Sequence, residues 1–118
     1  MKRPRAVRLN EHAVYYRGTG CVRVGGAVIE LTVREEDLFE LLLATPKVTV
    51  PWPRITAELG AAEQATRHYL KGLRDKLGTR AVRTHTALGL SLQPQWVGTQ
   101  RFAIIRHPAG SLPARRGA

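Results

Sequence analysis

Residues 62–92 read AEQATRHYLKGLRDKLGTRAVRTHTALGLSL and indicate the fold more strongly than any other part of the chain. Leu70, Leu73 and Leu77 follow one another at spacings of three and four, which is the period of an amphipathic helix. This pattern predicts a helix over residues 62–77.

A hairpin is predicted directly after this helix. Gly78 is suited to end the helix, because glycine readily adopts the backbone conformation of a helix C-terminus. Residues 81–92 then contain two short β-favouring runs that meet at Thr86 and Ala87. Two such runs around a short turn are typical of antiparallel strands.

A basic stripe accompanies the leucines of the helix. Arg67, Lys71 and Arg74 lie about a quarter turn away from them at 100° per residue. We therefore expect the helix to lie on a core by its leucines and to expose cations beside them.

Two further helices are predicted before this region. Thr32 and Glu35 have the spacing of a capping box, and a leucine-rich helical pattern follows as far as Pro46. Pro53 suits the first turn of a short second helix that ends at Gly60.

The beginning of the chain favours strands. Residues 13–32 contain short β-favouring runs separated by glycine turns at 18–20 and 25–26, which is typical of small antiparallel hairpins. The order hairpin, three helices, hairpin predicts an α+β fold: a winged helix-turn-helix with an N-terminal antiparallel sheet, three helices and a C-terminal wing hairpin. In this layout the third helix enters a DNA groove.

Several short motifs in this region also occur together in one protein family. They are Val24-Gly25-Gly26, Leu31-Thr32 with Glu35, Leu41-Leu42, Leu70-x-x-Leu73-Arg74-x-Lys76-Leu77-Gly78, and Val82-Arg83-Thr84 before Gly89. With these motifs, residues 22–92 resemble the OmpR/PhoB-type winged-helix DNA-binding domain, the effector half of many bacterial response regulators. The resemblance implies that helix 62–77 reads the major groove and that the wing, residues 81–92, contacts the DNA backbone or minor groove.

Some residues depart from the family pattern. Gly72 and Thr86 stand where the family often carries basic residues, and Ala87 replaces a usual glycine of the wing. Asp37 and Asp75 are the only aspartates, so an acidic phosphoacceptor cluster cannot be built. The resemblance therefore implies a stand-alone, divergent member that is not controlled by phosphorylation.

The basic stripe and the resemblance together nominate a set of DNA-binding residues on the third helix, in the turn after it and on the wing. The set is Arg67, His68, Lys71, Arg74, Lys76, Arg80, Arg83, Thr84 and Thr86. Taken singly, each of these residues is more simply explained as a solvated surface group, whereas as a set they favour contact with DNA. For Arg74 a further alternative is an ion pair with Glu36 or Glu40 of the first helix. Trp52 and Tyr69 are expected to pack in the fold.

Charge and hydropathy limit the class of protein. The 118 residues suit one domain, and 19 Lys and Arg stand against 9 Asp and Glu, for a formal net charge of +10. Such a surplus implies a polyanionic partner, either nucleic acid or an acidic membrane surface. No apolar run approaches the ~20 residues of a membrane span. We therefore expect a cytoplasmic protein that binds no membrane.

Composition divides the chain into four parts. Residues 1–12 are expected to form a basic N-terminal arm, and residues 13–92 the winged-helix DNA-binding domain. Residues 93–106 contain the apolar run 102–105 and predict either an extra C-terminal strand or a dimerisation element. Residues 107–118 have the composition of a basic flexible tail.

Sequence patterns for catalysis or metal binding are absent. The four histidines are scattered without the spacing of metal ligands, and the single cysteine, Cys21, cannot form an internal disulfide. Neither a Gly-Lys-Ser/Thr phosphate loop nor a Gly-x-Ser-x-Gly elbow occurs. We therefore expect no enzyme, no metal, no cofactor and no small-molecule substrate.

Together these patterns predict a sequence-preferring, double-stranded DNA-binding transcription regulator of bacterial or phage origin. A homodimer is compatible with this function, because one winged helix reads few base pairs. The alternative is a winged-helix protein-interaction module that binds RNA polymerase or another regulator. Gly72 and Thr86 favour this alternative, whereas the basic stripe of the third helix favours DNA binding.

Overall fold

The computed structural model describes residues 5–99, and the first layer is a four-stranded antiparallel sheet. The strands follow the chain as a meander in the order β1-β2-β3-β4. They are β1 (Ala6–Arg8), β2 (Ala13–Tyr16), β3 (Cys21–Val24) and β4 (Ala27–Glu30). The predicted N-terminal antiparallel sheet is confirmed.

Strand β1 corrects one expectation. The sequence predicts a basic arm over residues 1–12, whereas residues 6–8 of that segment form the edge strand of the sheet. Val7 lies opposite Tyr15 and packs against the core, and Leu9 is buried. Three residues are too few to show the period-two alternation by which a half-buried strand is recognised.

Helix α1 (Val33–Leu43) begins at the predicted capping box. The backbone N–H of Glu35 donates to the Thr32 hydroxyl at 3.2 Å, and the backbone N–H of Thr32 donates to the Glu35 carboxylate at 2.9 Å. These bonds satisfy two amide groups that have no acceptor within the helix. The helix ends before Pro46, as predicted.

Helices α2 (Trp52–Leu59) and α3 (Glu63–Leu77) complete the helical layer. Gly60 ends α2 in the left-handed conformation with φ 62°, which glycine adopts without the steric cost of a Cβ. The helix predicted over residues 62–77 is confirmed by α3, and the leucine stripe of α3 is buried.

The second sheet contains the predicted hairpin. Its strands are β5 (Val50–Pro51), β6 (Val82–His85) and β7 (Gly89–Leu92), which pair antiparallel in the order β5-β7-β6. A Cβ at Gly89 would overlap the carbonyl oxygen of Val50, so only glycine allows β5 to approach β7 this closely. The wing hairpin is thereby attached to the helical layer through β5.

The hydrophobic core lies between the helices and the two sheets. Leu38 and Leu42 of α1 meet the leucine stripe of α3, and Leu90 and Leu92 of β7 are completely buried in the same cluster. The ring of Tyr15 meets Phe39 edge to face with 4.8 Å between centroids. These contacts determine which side of α3 remains exposed.

The segment after β7 folds back on the core. Residues 94–96 form a short 3-10 helix, and Val97 is completely buried. The Asn10 side-chain amide donates to the carbonyl oxygens of Pro94 and Val97, both at 2.8 Å. Residues 93–99, the described part of the segment predicted as either an extra strand or a dimerisation element, therefore contain no strand. The apolar run 102–105 and the predicted tail 107–118 lie outside the described residues.

Within residues 5–99 there is no helix long and apolar enough to cross a bilayer.

Candidate nucleic-acid interface

Helix α3 exposes one face to solvent. Thr66 and the leucine stripe are buried, whereas Arg67, His68, Lys71 and Asp75 are exposed. Of the nominated helix residues, the structure thus places Arg67, His68 and Lys71 on the open surface. Arg74 and Lys76 are half-buried and lie toward other elements.

Arg67 is held in place by two contacts. Its guanidinium donates twice to the Glu63 carboxylate, at 2.9 and 2.6 Å, and lies over the indole ring of Trp52, 4.6 Å from the centroid. Trp52 is buried and Tyr69 packs against the core, in agreement with the packing interpretation of both rings. The stacking joins the exposed face of α3 to the start of α2.

Lys71 is the most exposed cation of the helix for which the structure shows an ion pair. Its ammonium lies 3.0 Å from Asp75, and the two side chains are 74% and 65% exposed. Ion pairs this open contribute about 0–1 kcal/mol, because water screens both charges. Lys71 can therefore leave Asp75 for another anion at little cost.

Arg74 joins helix α3 to the wing. Its guanidinium donates to the carbonyl oxygen of Val82 at 3.1 and 2.7 Å and to the hydroxyl of Thr84 at 2.6 Å. The alternative that Arg74 pairs with Glu36 or Glu40 is wrong, because Arg74 lies on the side of α3 that faces β6. Burial lowers the pKa of Arg74, and the partners on β6 are neutral.

Glu36 and Glu40 of α1 have other partners. The Tyr15 hydroxyl lies 2.7 Å from Glu36 and 2.6 Å from Glu40. Arg17 forms an ion pair with Glu40 at 2.6 Å. These carboxylates therefore connect α1 to strand β2 and the turn after it rather than to α3.

Lys76 is paired inside the fold with Glu35, at 2.6 Å. Burial alone would raise the pKa of Glu35, but the hydrogen bonds and charge of Lys76, together with the bonds from Thr32, outweigh burial and lower it. Gly72 lies beside this pair, since a Cβ there would overlap the Glu35 carboxylate. Gly72 thus faces α1, and its lack of a basic side chain is explained by this close approach.

The wing exposes Arg83, Thr84 and Thr86. Its tip adopts a left-handed conformation at Ala87, with φ 63°, and the Leu88 N–H donates to the His85 carbonyl at 2.8 Å. The Thr84 hydroxyl is already an acceptor for Arg74. Arg83 and Thr86 remain as the open polar side chains of the wing.

Arg80 lies at the base of the wing. It belongs to the short 3-10 turn after α3, and its guanidinium lies 3.9 Å from the ring centroid of Trp96. Trp96 belongs to the segment that folds back after β7, and sequence reasoning missed this contact. A single aromatic residue in a segment without periodicity gives no signal of the surface on which it packs.

Three arginines meet where α3, the 3-10 turn and the wing join. A pocket of about 350 Å³ is lined there by Arg74, Arg80 and Arg83, with Gln93 and Trp96 among the neighbouring walls. The lining contains no carboxylate. Among residues 5–99 no group of three or more His, Cys, Asp or Glu side chains suited to a metal ion is found.

Comparison with known proteins supports the architecture. No protein-family model matches the chain, and no curated protein matches its sequence. Among solved structures, the chain is similar to the C-terminal domain of the nisin resistance regulator NsrR, a lantibiotic response regulator. The TM-score is 0.60 at 17% identity, and the match covers 78% of this chain and 95% of that chain. The chain is a winged helix.

The winged-helix fold gives a position to each element. Helix α3 is the third helix of this fold, and β6 and β7 form its wing hairpin. The predicted α+β class with an N-terminal sheet, three helices and a wing is confirmed. At this identity the likeness establishes the fold, and the nominated DNA-binding residues stay predictions.

Proposed function

We propose that this winged helix is a sequence-preferring, double-stranded DNA-binding transcription regulator of bacterial or phage origin, active in the cytoplasm. Helix α3 reads the major groove, and the wing contacts the backbone or the minor groove. The observation that carries the proposal is the meeting of three arginines from α3, the following turn and the wing around one pocket whose lining has no carboxylate. Clustered cations of this kind match a polyanion.

Base reading is assigned to the exposed face of α3. Arg67, His68 and Lys71 are exposed there, and each is long enough to reach base edges in a major groove. Arg67 and Lys71 exchange their open pairs with Glu63 and Asp75 for DNA acceptors. Because both pairs are exposed, little energy opposes the exchange.

Phosphate contacts are assigned to the arginines around the wing. Arg80 and Arg83 supply cations for the backbone, and Thr84 and Thr86 supply hydroxyls. Arg74 contributes mainly by holding β6 against α3. Lys76 contributes through its pair with Glu35, which holds α3 against α1.

The salt dependence of duplex binding tests this proposal. For the intact chain, the logarithm of the association constant for random-sequence duplex should fall steeply with the logarithm of salt concentration. Replacing Arg80 or Arg83 with Ala should reduce the slope by about one unit, the contribution of one phosphate contact. A wild-type slope near zero would contradict the proposal that the protein binds DNA.

The matched control is Arg23→Ala. Arg23 is exposed on β3, in the other sheet, so this variant removes the same charge outside the proposed interface. Its slope should equal that of the wild type.

Selection of bound duplexes from a random pool then tests sequence preference. His68→Ala should change the selected bases without changing the salt slope.

A second candidate function has one specific observation in its favour. A groove of about 390 Å³ between α1 and α2 is lined by Asp37, Glu40 and Glu58 beside the apolar Leu41 and by Arg54. Such a mixed acidic and apolar surface suits a protein partner, either RNA polymerase or another regulator. Glu58→Lys should abolish binding of this protein partner while leaving the salt slope for DNA unchanged. If Glu58→Lys leaves partner binding intact, the groove is not a partner-binding site.

Homodimerisation belongs to the same proposal. A single recognition helix covers few base pairs, and dimers bind two half-sites about one helical turn apart. Sedimentation would count the protomers bound to duplexes that carry one or two copies of a selected site. One protomer is expected on the duplex with one copy and two on the duplex with two copies. One protomer on both duplexes would contradict dimeric binding.

A further inference from the structure

The pocket at the base of the wing, called here the arginine pocket, has walls from four parts of the chain. Arg74 comes from α3, Arg80 from the 3-10 turn, Arg83 from β6, and Gln93 with Trp96 from the segment after β7. The segment after β7 is not part of the helix or wing surface to which DNA reading is assigned above. The arginine pocket therefore extends beyond that surface.

The charge in this pocket is not neutralised by carboxylates. The ion pairs among residues 5–99 involve other cations, namely Arg17, Arg34, Arg67, Lys71 and Lys76. Arg74 donates to a carbonyl and a hydroxyl, both neutral. Its burial disfavours the charged form and lowers its pKa, so an anion beside it would be stabilising.

Two of the three guanidinium groups are already held in position. Arg80 stacks on Trp96 at 3.9 Å, and Arg74 is fixed by its bonds to Val82 and Thr84. The stacking partner Trp96 is anchored, because its backbone N–H donates to the Gln93 carbonyl at 2.9 Å, and the Gln93 N–H donates to the Ala81 carbonyl at 2.8 Å. Binding an anion here would order few additional side chains, which favours affinity.

We propose that the arginine pocket is a phosphate-binding site that takes the phosphate group of a nucleotide. Planar guanidinium groups match the oxygens of phosphate in paired hydrogen bonds, and three of them suit a group with two negative charges. The volume of about 350 Å³ exceeds what the phosphate alone needs and leaves room for the attached sugar. The expected ligand is a free nucleoside monophosphate, as distinct from the DNA backbone phosphates already assigned to Arg80 and Arg83.

The site shares Arg80 and Arg83 with the DNA contacts proposed above, but it can be tested separately, because a free phosphate ligand would bind it without duplex. The test follows the two tryptophan indole N–H signals of the intact chain by NMR, assigned with Trp96→Phe. Inorganic phosphate and adenosine monophosphate are titrated at constant ionic strength. The Trp96 signal should shift until the site is saturated, at a lower concentration of the monophosphate than of inorganic phosphate. The Trp52 signal should not shift.

Variants separate a site from general charge attraction. Arg80→Ala and Arg83→Ala should each lower the affinity for the phosphate ligand about tenfold or more. This is the effect of losing one charge-assisted hydrogen bond. Arg23→Ala, which removes an exposed cation on β3, should leave this affinity unchanged. Equal weakening by all three variants, with each variant shown to be folded by its thermal transition, would overturn the proposal.

A third titration identifies the source of the phosphate. If the monophosphate still saturates the Trp96 shift when duplex is bound, the site binds a free nucleotide. If only duplex shifts the Trp96 signal, and Arg80→Ala weakens duplex binding more than Arg23→Ala, the pocket makes only the backbone contact proposed above, and the inference of a nucleotide site is overturned. If phosphate, monophosphate and duplex all leave the signal unshifted, the site does not exist.

Discussion

Ala87 at the tip of the wing is in a backbone conformation that suits glycine better. Its φ of 63° lies in the left-handed region, where a Cβ approaches the following carbonyl oxygen at a cost of roughly 1–2 kcal/mol. The hairpin adopts this turn all the same, because the pairing of β6 with β7 on either side demands it. The wing therefore carries local strain at one residue.

Ala87→Gly should relieve this strain and stabilise the protein. The expected gain is about 0.5–1 kcal/mol, since the greater flexibility of glycine in the unfolded chain offsets part of the relief. Denaturant unfolding measures the change. Thr86→Gly is the matched control and should destabilise, because Thr86 does not have positive φ. Equal effects of both variants would contradict the explanation.

At the scale of elements, an ion pair joins helices α1 and α3. Glu35 lies 2.6 Å from Lys76, and its carboxylate occupies the space that a side chain at Gly72 would need. Glycine inside a helix costs about 1 kcal/mol relative to alanine. This cost is offset because Gly72 leaves room for the Glu35 carboxylate, which takes part in both the capping box and the ion pair with Lys76.

Gly72→Ala should therefore destabilise the protein by about 1–2 kcal/mol, against the usual gain in helix propensity. The added methyl group displaces the Glu35 carboxylate from Lys76 and from the Thr32 amide. In a Glu35→Ala background the same substitution should stabilise by about 1 kcal/mol. A double-mutant cycle by denaturant unfolding measures both values, and the same sign in both backgrounds would refute the steric explanation.

The Glu35 contact also makes stability depend on pH. Its pKa is lowered in the fold, so the ionised form contributes stability that is present above the ordinary carboxyl pKa and lost as pH falls through the folded value. The difference in unfolding free energy between wild type and Glu35→Gln should therefore shrink below about pH 4.5. Glu30→Gln, at an exposed position of β4, is the control for the removal of a surface carboxylate.

At the scale of the whole molecule, charge is unevenly distributed over the surface. The arginine pocket gathers Arg74, Arg80 and Arg83, whereas the groove between α1 and α2 gathers Asp37 and Glu58. The formal net charge of +10 on 118 residues adds a general repulsion to the folded state. Both features favour an anionic partner on one part of the surface.

Added salt should stabilise the protein in the absence of DNA. Screening weakens the repulsion between cations, so the thermal midpoint should rise between about 0.02 M and about 0.3 M sodium chloride. Arg23→Glu lowers the net charge by two units, from +10 to +8, and should show a smaller rise. A midpoint that falls with salt would mean that ion pairs outweigh the repulsion.

Local features of this protein are readable in the amino-acid sequence. The capping box at Thr32 and Glu35, the buried stripe of α3 and the hairpin after Gly78 were all predictable. Each of them involves residues close together in the chain, so spacing alone reveals the partner or the face. The capping-box partners, for instance, are separated by three positions.

Contacts between distant segments required the folded structure. Lys76 meets Glu35 across 41 positions and Asn10 meets Pro94 across 84. Arg74 binds β6 rather than α1. Periodicity shows which face of a helix is buried, but it does not show which element lies opposite, because that depends on how all the elements pack together. The joining of Trp96 to Arg80, and hence the arginine pocket, belongs to this second group.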